Sequence, residues 1–493
     1  MKIIKKIIAL LILPFMLVSC NDWLDFDQEG LIPTEDIDFT DASQMYAPVS
    51  GVYADARRKM TQWEVWPLLN VRGDEVTKGG GSETDQGVYL DAERFSYAPV
   101  KGFWALNNAW TAFYRVVYTT YNNQILLDRF REHLTTDAQW ELSDQYEAEI
   151  TFHRALSYYF ISNLWGDVPL VDPEDLNYAF LNRKKQETVR AFIHEELDFC
   201  IEKLPEVQAQ HQGAVTKWSA MTLKAKLALQ EGNYELVRSL TDDIISNAGL
   251  SLYDDYYNLF KIPGKLASES LYEFQFSDFG QGDGQEVYGA AWFQHQGPNG
   301  GIAPIAGWGF MLITEDYIDF MKGRNETDRW DVAILESGSR TPASDSIPLF
   351  TPSYQNIKGY YNGKAYLPKN QMTEGRNQYG SNNNIRMLRY ADVLLMNSEA
   401  KVRLGGDAAT PLNEVRNRAG LESIPSPTLE DVLDERRAEF SLEWGDRFND
   451  LVRTGQAETV FAEYGFSRVE HEFYPIPTAQ EDLNPNLKEP AVN

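Results

Sequence analysis

IRMLRYADVLLMNSEA, residues 385–400, runs through Leu404-Gly405-Gly406-Asp407 into LNEVRNRAGL, residues 412–421. From Arg389 to Leu404 the stretch has no proline and no glycine, and then two glycines stand together. Glycine adopts the left-handed backbone that ends a helix without a Cβ penalty. The reading is therefore a helix, a glycine stop, and a second helix that ends near Arg418.

Working outward, the same device recurs at Glu231-Gly232-Asn233-Tyr234. Gly232 ends one helix, Asn233 caps the next, and Tyr234 wedges between them, as in a tetratricopeptide turn. The unit is degenerate, because Val237 stands where the repeat prefers alanine. Helical spacing covers the earlier chain as well. Trp110, Phe113, Tyr114, Val117 and Tyr121 share one face, and Tyr146, Ile150, His153, Leu156 and Phe160 share another. Thr136 with Gln139 forms a capping-box pair. Val189 to Leu204 reads as a helix stopped by Pro205, and Thr216 can cap a helix that carries Ala220, Leu223 and Leu227 inward. The expected fold is mainly α, with irregular helical pairs rather than a regular solenoid.

Residues 250–385 differ. Nine of the 34 glycines fall between Gly280 and Gly309, and helical stripes fade. A long glycine-rich loop inside a compact protein is usually functional. Leu271 to Phe276 could supply a short strand.

The N-terminus carries Lys2, Lys5 and Lys6 before an apolar run from Ile7 to Val18. The run is shorter than the ~20 residues that span a bilayer. It reads as an export signal, residues 1–19, that ends in the lipobox-like Leu17-Val18-Ser19-Cys20. Cys20 is then the lipidation site, palmitate included, and Cys200, on an apolar helical stripe, is a buried and inert thiol. Residues 20–41 are an acidic tether, open to reading as a surface-export tag or as a solvated linker. Residues 42–493 form one helical domain, with 250–385 as its ligand-face insertion.

The net charge is −28, and loss of the signal's three lysines makes it about −31. Such a surface repels nucleic acid. Apolar residues at 43% exclude global disorder. None of the six histidines has the i, i+4 spacing of a helical metal pair, and no phosphate loop, dinucleotide fingerprint or nucleophile elbow is present. Asp283, Glu286, Asp316 and Asp319 could offer oxygens to calcium, but without EF-hand spacing they read as solvated surface. No cofactor, metal or catalytic residue is assigned.

The ordered series IRMLRYADVLL at 385–395, Leu433-Asp434-Glu435-Arg436-Arg437-Ala438-Glu439-Phe440, Gly445-Asp446-Arg447 and Tyr474-Pro475-Ile476-Pro477 resembles the SusD/RagB family of nutrient-binding outer-membrane lipoproteins. Arg154 to Phe160 and Leu164-Trp165-Gly166-Asp167-Val168-Pro169-Leu170 resemble it too. The resemblance implies a surface lipoprotein of the outer membrane that is not an enzyme. It would bind an oligosaccharide and act as a hinged lid over a SusC-like TonB-dependent transporter. A RagB-like peptide binder and a surface glycosidase remain alternatives. Opposite charges three or four apart between Glu435 and Arg453 read as helix-surface pairs of the scaffold.

Aromatic side chains are the lead to a ligand, because the C–H face of a sugar packs on a ring while its hydroxyls need polar partners. Family ligand contacts typically come from similar early and mid-chain loops. The candidates are Trp292, Trp308, Tyr288, Trp63 and Trp66, with Arg72 and Asp74 as polar partners. Trp63 and Trp66 fit a core role equally well. Trp104, Trp110, Trp140 and Trp165 read as core.

Overall fold

The computed structural model describes residues 37–174, 180–280, 292–299, 305–349, 359–375 and 381–492. Cys20, the signal and Tyr288 lie outside them. The fold is mainly helical, with short two-stranded ladders.

Three long helices, Ala47–Met60, Trp104–Arg131 and Asp137–Trp165, pack side by side, and Gln186–Lys203 lies against the third. Thr136 opens the third helix with the expected capping box. Cys200 sits in the interface, its thiol donating to the Ala148 carbonyl at 3.3 Å. Burial pushes that thiol up, away from the reactive thiolate.

Two helical pairs follow. Lys217–Gln230 is capped by Thr216, and Tyr234–Asn247 by Asn233, whose side chain accepts from the Leu236 amide. Gly232 between them has φ +72°, the left-handed value the turn requires. The second pair is Tyr390–Leu404 with Ala409–Arg418, separated by Gly405 at φ +81°. Tyr234–Asn247 packs on Tyr390–Leu404, which joins the two pairs.

The opening stretch is a strand before it is a helix. Ile385–Arg389 pairs antiparallel with Ser270–Phe274, and Tyr390 starts the helix. Val76–Gly79 pairs antiparallel with Phe310–Ile313, with Gly79 opposite Phe310. That ladder ties an early loop to the glycine-rich segment.

The charges of residues 435–453 are not helix-surface pairs. They are buried, and most reach across the fold. Glu439 accepts from Arg389 at 2.8 Å, Arg418 at 2.7 Å and Arg329 at 3.0 Å. Glu435 meets Arg329, Arg324 and Arg416, and Arg436 meets Asp392 and Asp450. Arg447 reaches Asp74 rather than Glu443 or Asp450. The scaffold role stands, but its partners come from distant elements. In a low-dielectric interior each charge must be matched or neutralised, so the network specifies which elements dock.

Candidate functional site

Three tryptophans meet at the surface. Trp63 lies just past the 47–60 helix, Trp104 opens the 104–131 helix, and Trp308 precedes the strand that starts at Phe310. The Trp63 ring is 5.5 Å from Trp104, 5.3 Å edge-on from Trp308 and 6.4 Å from Phe310. Trp104 is 42% exposed, while Trp63 and Trp308 are half-buried. Mutual packing fixes the rings, and each stays at least partly exposed. Beside them the Asn108 amide donates to the Glu64 carboxylate at 3.2 Å. Asn108 is one turn on from Trp104, so amide, carboxylate and two indoles share one patch.

The 79–86 loop forms one rim of this patch, and Lys78 organises it from within. The Lys78 ammonium donates to the carbonyls of Gly79, Ser82 and Asp85 at 2.8, 2.9 and 2.8 Å. Burial pulls Lys78 down to about 8 despite the nearby Asp85 and Glu93 charges. Gly80 has φ +85°, and a Cβ there would lie 2.8 Å from the Phe310 ring. The glycine therefore lets the rim close onto the aromatic floor. A Cβ on Gly81 would lie 3.5 Å from the Asn299 amide nitrogen, so Asn299 borders the same rim.

The structure divides the expected ligand residues. Trp63 and Trp308 come together. Trp66 and Trp292 do not join them at the surface: they are 0% and 3% exposed and face each other at 5.5 Å in the main core. Trp66 also packs on Trp444 at 4.5 Å. Arg72 is buried, its guanidinium 4.1 Å from both the Phe448 and Tyr474 rings, and it donates to the Glu472 carbonyl. Asp74 accepts two 2.8 Å bonds from Arg447, with Arg437 at 3.1 Å. Burial would raise its carboxyl, but these arginines outweigh burial and hold it low. Ligand contact by Trp66, Trp292 and Arg72 is corrected, since each fills the interior, and Asp74 is committed to a structural pair.

Trp104 corrects the sequence reading in the other direction, being exposed rather than core. Trp140 is also exposed, at 44%, whereas Trp110 and Trp165 are buried as read. Both exposed tryptophans sit in the first turn of a helix, and Trp104 points outward between the buried Phe103, Ala105 and Leu106.

Burial raises two carboxyls, Glu75 and Glu149, to about 7. A general acid must reach its substrate. Glu75 is 5% exposed and Glu149 0%. Among the described residues no group of three or more His, Cys, Asp and Glu is placed to hold a metal ion.

Residues 350–491 match the SusD family. SusD-like protein P25 of Formosa agariphila is 25% identical over 99% of this chain and 98% of its own length. A solved laminarin-binding SusD-like protein superposes with a TM-score of 0.77 at 25% identity, covering 90% of this chain and 97% of that one. Surface glycan-binding protein A from Bacteroides thetaiotaomicron, solved with laminarihexaose, gives 0.74 at 23% identity over 89% and 97%, a likeness of fold.

Proposed function

The chain belongs to the SusD/RagB family, and we propose that it captures an oligosaccharide on the Trp63, Trp104 and Trp308 patch without chemically changing it. The observation that carries this reading is the cluster itself. Three indoles are held together partly in water, which costs free energy unless a ligand covers them. Their rings suit the C–H faces of pyranoses, and Glu64, Asn108 and Asn299 can meet hydroxyls at the edge. The relative that binds laminarin shares this fold over nine-tenths of the chain, which supports an oligosaccharide as the ligand.

Cys20 would anchor the mature protein by lipid to the outer membrane, with the acidic tether at 20–41 giving reach. A SusC-like TonB-dependent transporter would receive the glycan, with this chain as its lid. Transport would draw on that partner, so the binding protein needs no cofactor. A glycan array probed with protein lacking residues 1–20 tests the ligand class. Retention of neutral oligosaccharides supports it, and retention of cationic peptides alone would replace it with peptide capture.

A further inference from the structure

Away from the tryptophan patch, the 47–60 helix borders a cleft of about 240 Å³. Tyr46, Tyr53 and Arg57 line it from the helix side, His211 from the 205–216 loop, and Tyr272 and Gln275 from the strand side. The Tyr46 and His211 rings stack face to face at 3.4 Å and 1°, so each backs the other.

The walls are held from below. Glu149, fully buried, accepts from the Tyr46 and Tyr53 hydroxyls at 3.2 and 3.0 Å. Its other oxygen accepts from the Gln145 and Gln208 amides at 3.2 and 3.4 Å. The Tyr53 hydroxyl also accepts from the Val215 amide at 2.9 Å. His153 places Nδ1 2.7 Å from the Glu149 carbonyl, so Nδ1 carries the proton and Nε2 accepts from Tyr272 at 2.8 Å. The tyrosine rings are thus fixed before any ligand arrives, which lowers the ordering cost of binding. Arg57 donates to the Gln275 carbonyl at 3.1 Å and lies over Phe276.

Among the described residues, no aliphatic side chain larger than alanine lines this cleft. Aromatic faces beside hydroxyl, amide and guanidinium groups suit a ring with one C–H face and several hydroxyls, and do not suit an acyl chain. The volume falls below the roughly 300–1,000 Å³ of sites for drug-sized ligands, so it suits one ring rather than a chain. We propose that this cleft is a second carbohydrate site, which holds a single neutral pyranose apart from the tryptophan patch. Tyr46 precedes the helix and Trp63 follows it, so 14 helical residues, about 20 Å, lie between the Tyr46 end of the cleft and the patch, while its Arg57 end lies six residues before Trp63.

Saturation-transfer NMR on the soluble full domain tests this with the methyl glycosides of glucose, galactose, mannose and xylose. Ser50→Trp fills the cleft from an exposed helix position without removing a core contact. His211→Ala removes the ring that stacks on Tyr46, and Trp63→Ala reports on the other patch. The expected result is saturable binding of at least one glycoside. Ser50→Trp should abolish it, His211→Ala should weaken it about tenfold, and Trp63→Ala should leave it unchanged. If Ser50→Trp does not fold, His211→Ala decides alone. No glycoside bound by the native protein, binding that survives both cleft variants, or binding lost only in Trp63→Ala would overturn the proposal. Loss of oligosaccharide binding in Trp63→Ala with the cleft intact concerns the first patch alone.

Discussion

Replacing Glu439 with glutamine should be among the most damaging conservative changes in this chain. The side chain is fully buried and receives Arg389, Arg418 and Arg329. These arginines come from the strand before residue 390, the 409–418 helix and the 328–333 helix, so one carboxylate fastens three elements to a fourth. Glutamine keeps the shape but removes the charge and turns an N–H₂ group toward a guanidinium. Breaking a buried ion pair costs ~3–5 kcal/mol, because the surviving charge stays desolvated. The loss here should lie at the upper end, since three cations lose their shared partner. The pH dependence follows from the sign of the shift. The arginines outweigh burial and hold the folded-state carboxyl well below its ordinary 4.5. Its stabilisation is therefore complete above pH 4.5 and fades as pH falls below that value. Urea unfolding followed by tryptophan fluorescence should show the full deficit at pH 7 and a shrinking one below pH 4.5. A deficit under about 1 kcal/mol at pH 7, or one that does not shrink on acidification, would refute the reasoning.

Three further outcomes are expected. Glu149 is raised to about 7 by burial, so its burial costs little at pH 4.5 and progressively more up to pH 7. The stability of Glu149→Gln relative to the native protein should rise between pH 4.5 and pH 8, measured by thermal unfolding. Lys78→Met removes the cation that gathers the Gly79, Ser82 and Asp85 carbonyls. It should loosen the rim and weaken oligosaccharide binding, read by calorimetry, with faster amide exchange at residues 79–86. Cys20→Ala should abolish acylation and move the protein from membrane to soluble fraction on cell fractionation.

The helical pairs were legible because their signals are local. Gly232, Asn233, Thr136 and Thr216 act within four residues of where they stand, and each has the expected role. The charge network was not legible, because its partners are distant in the chain. Arg329 and Glu435 are 106 residues apart, and Arg389 and Glu439 are 50 apart. Helical spacing suggested nearer partners, and cross-element docking overrode it. The tryptophans show the same limit. A glycine-rich neighbourhood suggested exposure for Trp292, yet it turns inward onto Trp66. Trp104 read as core, yet its ring is 42% exposed although its neighbours Phe103, Ala105 and Leu106 are buried.

Trp63, Trp104 and Trp308 are proposed to capture a neutral glycan. Isothermal titration of laminarihexaose into the native domain, Trp63→Ala and Trp104→Ala addresses this most directly, with melting temperatures recorded for all three. Loss of an aromatic platform buried on binding should cost ~2–4 kcal/mol of affinity. Trp104→Ala should keep the native melting temperature, because its ring is 42% exposed, and should lose most of the binding heat. Native affinity in both variants, or cleaved laminarihexaose after prolonged incubation with the native protein, would contradict the account.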